Sequence, residues 1–182
     1  MLNIGKAINS HGESIVFTVA LPDSAPVYMS VQKTNYCNDM RTVVIVDAAK
    51  FLQLWQAEPN SICKELSHGN PEIWRNDRKY HHAETGFSRG EINPVPLAEV
   101  ACATNSRQIV TYKFLRFGRC EHTENSAYSC FTNGVTRTIW LLSKGCKTFP
   151  VECNISSAKL LYEAASAPGS DLLTVDELYT RY

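Results

Sequence analysis

Apolar residues gather along the chain in short runs separated by polar and turn-forming residues. Ser14–Leu21 (SIVFTVAL) reads as a β-strand. Pro22, Asp23, Ser24 and Pro26 read as a turn, and Val27–Gln32 (VYMSVQ) as the returning strand of a hairpin. Thr42–Val46 (TVVIV) predicts a buried strand. Asp47 stands at a helix N-cap position, and Ala48, Phe51, Leu52 and Trp55 follow at helical spacing until Pro59 and Asn60.

Residues 60–90 are polar and read as irregular. Ile92–Val100 (INPVPLAEV) holds two prolines, so it is expected to open as an extended segment and to end as a short helical turn. Gln108–Phe117 is strongly β-like, Glu121–Ala127 reads as a polar loop, and Tyr128–Thr132 as a strand. A helix follows over 137–144, stopped by Gly145 at C′, and Phe149–Cys153 is the next strand. Ser156–Ser166 is amphipathic, with Leu160, Leu161 and Ala164 on one stripe, and Pro168–Gly169 breaks it. Thr174 is positioned to cap a last helix through Tyr179, with Asp176 and Glu177 in its first turn. The expected fold class is α+β: one compact domain over 1–182, a mixed sheet flanked by helices. Residues 1–40 form an N-terminal β extension containing the hairpin, and 155–182 a C-terminal helical segment.

Composition narrows the function classes. Eighteen basic and eighteen acidic side chains balance, which argues against a nucleic-acid-binding surface spread over the whole protein. The apolar fraction of 44% is that of a folded globular chain. No apolar run resembles a signal peptide or membrane span, so a cytoplasmic location is expected. The seven cysteines contain no C-x-x-C pair and read as small buried apolar residues. Cys120, His122 and Cys130 lie close in sequence, but their spacing is not a usual zinc pattern.

The candidate chemistry lies in Phe131–Cys153, FTNGVTRTIWLLSKGCKTFPVEC. A strand ends at Asn133, Gly134 makes the corner, and a helix begins. A helix start presents unpaired N–H groups and the positive end of a dipole, which suits an anion. Thr136 and Thr138 add hydroxyls, and Arg137 adds a planar fork suited to phosphate oxygens. The same residues are also what an Asn-Gly turn with a capping threonine requires. A second cluster is Arg75, Arg78, Lys79, His81 and His82, with Arg89 further on and Trp74 and Tyr80 interleaved. Basic residues with an aromatic available for stacking suit single-stranded nucleic acid, and an ordinary polar loop looks the same.

The order NPVPLAEV followed by NGVTRTIWLLSKGCKTFPVEC resembles the ParB/sulfiredoxin superfamily, in which a proline-containing segment precedes a glycine–x–x–arginine turn that contacts nucleotide phosphates. More narrowly, TVVIVDAAKFLQLWQ, GFSRGEINPVPLAEV and the same turn segment together resemble plasmid fertility inhibition factors of the Osa and FiwA type, over roughly residues 40–155. Where sulfiredoxins carry a cysteine and a histidine before the arginine, this chain has Val135 and Thr136, so cysteine-based sulfinic acid reduction is excluded there. Partitioning ParB proteins carry glutamate and arginine at those positions. No helix-turn-helix is visible downstream.

The narrower resemblance implies a plasmid-borne factor that blocks DNA transfer through a type IV secretion system, with ATP hydrolysis and DNA cleavage. It implies ATP and Mg²⁺ as cofactors, and Asn93, Gly134, Thr136, Arg137 and Thr138 as nucleotide-binding residues. The segment with Glu91 and Asn93 faces this turn in superfamily members, so the expected catalytic residues are Arg137 and Glu91, with Glu91 holding metal or orienting water; an ordinary solvated loop carboxylate looks the same. Arg75, Arg78, Lys79, His81 and His82 would contact DNA, and either His81 or His82 can act as general base. The implied partners are the transferred DNA or its relaxase–DNA complex and the secretion coupling machinery, with recruitment to the inner membrane by that apparatus. A non-catalytic protein that occludes a secretion component accommodates the same phenotype.

Overall fold

A two-residue turn, Pro22–Asp23, sets the register of the first sheet. β1 (Asn3–Asn9), β2 (Gly12–Leu21) and β3 (Ser24–Val31) form an antiparallel meander. This computed structural model describes residues 3–9, 12–112 and 119–182. The turn is shorter than the composition of Pro22–Pro26 suggests. Pro26 lies inside β3, beyond the stretch that pairs with a second neighbour, where a missing N–H costs nothing. β1 extends the hairpin by a strand that the weakly patterned NIGKAIN did not announce.

β4 (Arg41–Asp47) feeds directly into α1 (Ala48–Gln56). The Asp47 carboxylate accepts from the backbone N–H of Ala49 and Lys50, both at 3.0 Å, so the expected cap is present. The next stretch is not irregular, as its polarity suggested, but carries α2 (Lys64–Ser67), α3 (Pro71–Arg75) and α4 (Tyr80–Phe87). These helices are one or two turns long and bury few residues each, so they leave little periodic signal. Asn70 caps α3 with Pro71 at its first position, and Tyr80, Ala83 and Phe87 make the inward stripe of α4.

β5 (Val95–Pro96) runs parallel to β3, and one residue later β6 (Ala98–Tyr112) begins in a different sheet. The helical turn expected at the end of Ile92–Val100 is therefore strand. β7 (Arg119–Asn133) pairs with β6 along its whole length, so the expected loop at Glu121–Ala127 is also strand. Its polar residues pair across a ribbon rather than cover a core, which removes the alternation by which a half-buried strand is recognised. The last part of the predicted Gln108–Phe117 strand, residues 113–117, lies outside the described residues.

α5 (Val135–Ser143) ends in a Schellman motif: Gly145 has φ +72°, its N–H bonds Leu142, and the N–H of Cys146 bonds Leu141. β8 (Thr148–Asn154), α6 (Ile155–Ala165), β9 (Leu173–Thr174) and α7 (Val175–Arg181) complete the chain. The buried stripe of α6 is Ala158, Leu161 and Ala165, rotated by about one position from the predicted one. Thr174 and Glu177 close a full capping box on α7.

The strands make a four-stranded sheet, β1-β2-β3-β5, and a five-stranded sheet, β7-β6-β8-β4-β9. One cluster of buried side chains runs through both sheets and their helices, an α+β arrangement. On the second sheet, Phe131 and Phe149 make edge contacts with Phe51 of α1, each at 5.7 Å between ring centres. Phe149 is fully buried. Phe149→Ala is expected to lower stability by about 3–5 kcal/mol, read as an earlier midpoint in urea unfolding.

Candidate phosphate-binding corner and the adjoining cleft

Gly134 is the N-cap of α5, with φ +98°, a conformation that L side chains rarely adopt. A Cβ placed there would lie 2.7 Å from both Cα and Cβ of Ala98. The glycine therefore admits β6 of its own chain. The Arg137 side chain folds back over this contact. Its Nη1 donates to the carbonyl oxygens of Pro96 at 2.6 Å and Leu97 at 2.7 Å. Burial lowers the Arg137 pKa from its ordinary value, and nearby Glu99 offsets part of that effect. Among the described residues, no protein acceptor is recorded for Nε or Nη2, so part of the fork still has donors to offer.

The two threonines differ. The Thr138 side chain is buried and its hydroxyl donates to the Gly134 carbonyl at 3.1 Å, inside its own helix. Thr136 is half-buried. Val135 packs beside Ile139 in a small cluster with Trp55 and Trp74.

On the other side of Pro96–Leu97 lies a cleft of about 470 Å³. Asn93, Pro94, Pro96 and Leu97 line one wall, and Lys33, Thr34, Arg41, Glu99 and Glu152 most of the rest. Glu99 and Glu152 are partners in register on parallel β6 and β8. Arg41 grips Glu152 through two bonds, 2.5 and 3.0 Å, and donates to the Gln32 carbonyl at 2.7 Å. The fold thus joins Asn93 to a polar cleft whose Lys33, Arg41, Glu99 and Glu152 the sequence reading did not single out. The pairing of β8 with both β6 and β4, and of β3 with β5, brings them together. Glu91 sits in an exposed turn after Gly90, and no hydrogen bond or ion pair links it to Arg137 among the described residues. A second hollow of about 400 Å³ between the sheets, floored by Ile4, Phe17, Val43 and Ile45, holds none of the predicted residues.

Arg75, Arg78, Lys79, His81 and His82 all lie exposed between α3 and the first turn of α4, and the rings of His81 and His82 are 4.0 Å apart. The aromatics interleaved with them do not join that surface. Tyr80 is buried, with its hydroxyl 2.6 Å from that of Ser143, and Trp74 is buried and donates to the Leu66 carbonyl at 2.7 Å. Both are core residues of short helices rather than stacking platforms.

Burial raises the thiol pKa of Cys102 and Cys146 to about 11 and that of Cys153 to about 12, as expected of core cysteines. Cys63 and Cys130 are only half-buried and Cys37, at a left-handed turn position, is exposed, so the expectation of burial does not hold for them. Among the described residues, no three His, Cys, Asp or Glu side chains converge to hold a metal ion. No helix among them is long and apolar enough to cross a membrane.

The site defines an α+β protein in which a helix N-terminus is locked against a proline-containing crossover between two sheets. Residues 43–166 match the family model of plasmid fertility inhibition factors, and the chain belongs to that family. It is 26% identical over 153 residues to protein osa of Shigella flexneri, covering 82% of this chain and 67% of that protein. Its fold matches the crystal structure of the oncogenic suppression activity protein, a plasmid fertility inhibition factor solved as a gold(I) cyanide derivative. That match has a TM-score of 0.72 at 24% identity, over 100% of this chain and 82% of the other.

Gly134→Ala is expected to destabilise the fold by roughly 2–6 kcal/mol, summing left-handed strain and overpacking against Ala98. A thermal midpoint close to that of the parent protein would show that the corner relaxes without cost.

Proposed function

We propose that this chain blocks conjugative or T-DNA transfer through a type IV secretion system by acting on the transferred DNA as an ATPase and DNase, on a ParB/sulfiredoxin-like fold. Family membership supports the first half of that reading. One observation carries the second. Arg137 spans from the helix start to the carbonyls of Pro96 and Leu97 with donors to spare, and the cleft that Asn93 lines lies across that strip, its walls holding none of Gly134, Thr136, Arg137 or Thr138. Asn93 can donate to phosphate oxygens, and Glu99 offers a carboxylate in the same cleft. Lys33 adds positive charge but is paired with Asp176 at 2.7 Å, and the Thr34 hydroxyl already donates to the Tyr36 carbonyl at 2.6 Å. Glu99 lines this cleft and Glu91 does not. Mg²⁺, when bound with ATP, neutralises phosphate charge. Arg137 would stabilise charge on the transferring group, and Thr136 would orient it. The work takes place in the cytoplasm, at the coupling machinery of the inner membrane, on the transferred DNA or its relaxase complex.

A second reading has its own support. Gly134, Thr138 and part of Arg137 already serve the fold, as they would in a protein that only occludes a secretion component. Two variants separate the readings. Arg137→Ala is expected to cut ATP turnover about 100-fold or more and to lose transfer inhibition with it. Thr136→Val, which leaves the Arg137 bonds in place, is expected to lower turnover without a change in thermal midpoint. Full inhibition in cells by a folded Arg137→Ala protein would favour occlusion, and EDTA is expected to halt turnover.

The DNA-facing surface is tested apart from the nucleotide. Arg78→Ala with Lys79→Ala is expected to weaken single-strand binding and to reduce the slope of log affinity against log salt by about 0.7 per lost phosphate contact. Fluorescence anisotropy over a salt series measures it, and an unchanged slope removes this surface from the DNA path.

A further inference from the structure

The functional reading leaves the β6–β7 ribbon unused. β6 pairs with β8 only through Ala98, Glu99 and Val100, and from Ala101 to Tyr112 its strand partner is β7. β7 is itself the terminal strand of the sheet. The base of the ribbon is buried at Cys102 and Ser129. Farther out, every residue of Thr104–Gln108 and of His122–Ser126 is exposed, so both faces of the ribbon meet solvent as well as its edge.

A free edge of this kind is a template for another strand, and sheets usually blunt it with charged side chains, lysine above all, with proline or with a bulge. Of these devices His122–Ser126 holds only the charge of Glu124, which its neighbour Arg107 faces, and the pairing runs without a bulge from Val100↔Phe131 to Tyr112↔Arg119. A ribbon of two strands is also only marginally stable by itself.

We propose that the outer edge of β7 pairs with β7 of a second copy of this chain, antiparallel about a two-fold axis at Thr123. The result is a four-stranded sheet in the order β6-β7-β7-β6. The symmetry permits few registers, because the residue on the axis must face itself. An axis at Glu124 opposes two carboxylates, and an axis at His122 opposes two imidazoles. An axis at Thr123 opposes two threonines and sets His122 against the second copy's Glu124, twice, which is the complementary arrangement. In its own ribbon Glu124 already faces Arg107, so each carboxylate then lies between two basic groups on one face. The groove of a nucleic acid fits this edge less well, because Glu124 would be turned toward phosphates.

Sedimentation velocity on the full chain, from low to high micromolar, tests the pairing. The parent protein and His122→Lys are expected to show a monomer–dimer equilibrium. His122→Glu and Thr123→Lys, which bring like charges together, are expected to raise the dimer dissociation constant about tenfold or more with unchanged far-UV circular dichroism. A parent protein that stays monomeric throughout overturns the proposal. So does a dimer whose dissociation constant is the same in all four proteins, since that dimer would use another surface.

Discussion

Val95 to Ala98 is the strip on which the two sheets meet. Val95 and Pro96 belong to the first sheet, the Leu97 N–H bonds the Ser30 carbonyl, and Ala98 is already paired into the second. A chain that changes sheets within so few residues cannot keep every backbone group in a ladder, and a buried carbonyl without a partner is costly. Arg137 supplies the partner for the part-buried Leu97 carbonyl and also bonds the exposed carbonyl of Pro96. Gly134 makes room for that strip by lacking a side chain where Ala98 approaches. The prolines add no unmet donors, since they have no N–H. The helix start, the glycine and the arginine therefore hold the crossover together whether or not an anion is bound.

This double use explains how a fold requirement and a ligand site can share residues. Nη1 is spent on the protein, while the remainder of the guanidinium has donors to offer. Lysine could not divide its work this way, because an ammonium is a point charge rather than a fixed fork. The cleft beyond the crossover takes its character from the same event. The parallel pairing of β6 with β8 brings Glu99 beside Glu152, and Arg41 then neutralises one of the two.

Much of this was legible in the chain. The run TVVIVDAAKF carried a strand, a cap and a helix, and all three stand where the pattern put them. The Gly134 corner, the Gly145 stop and the Thr174 cap were readable because each depends on local backbone chemistry. The failures share another cause. Tyr80 and Trp74 look like surface aromatics in a basic stretch, yet α3 and α4 turn them into the core; that depends on packing against α5 and on no local pattern. Glu121–Ala127 looks like a loop because its polar residues pair across a solvent-facing ribbon, which leaves no apolar alternation to read. Lys33, Arg41, Glu99 and Glu152 come from three separate regions, and only the sheet order makes them neighbours.

Tyr179, on α7, donates its hydroxyl to the Glu13 carbonyl and accepts from the Lys33 N–H, while Lys6 reaches the Tyr179 carbonyl at 3.1 Å. β1 to β3 are thus fastened by a helix that lies far along the chain, with Val95–Pro96 as their intermediate neighbour and α7 as their clasp. Contacts so distant in sequence slow folding, because a long loop must be closed before it is rewarded.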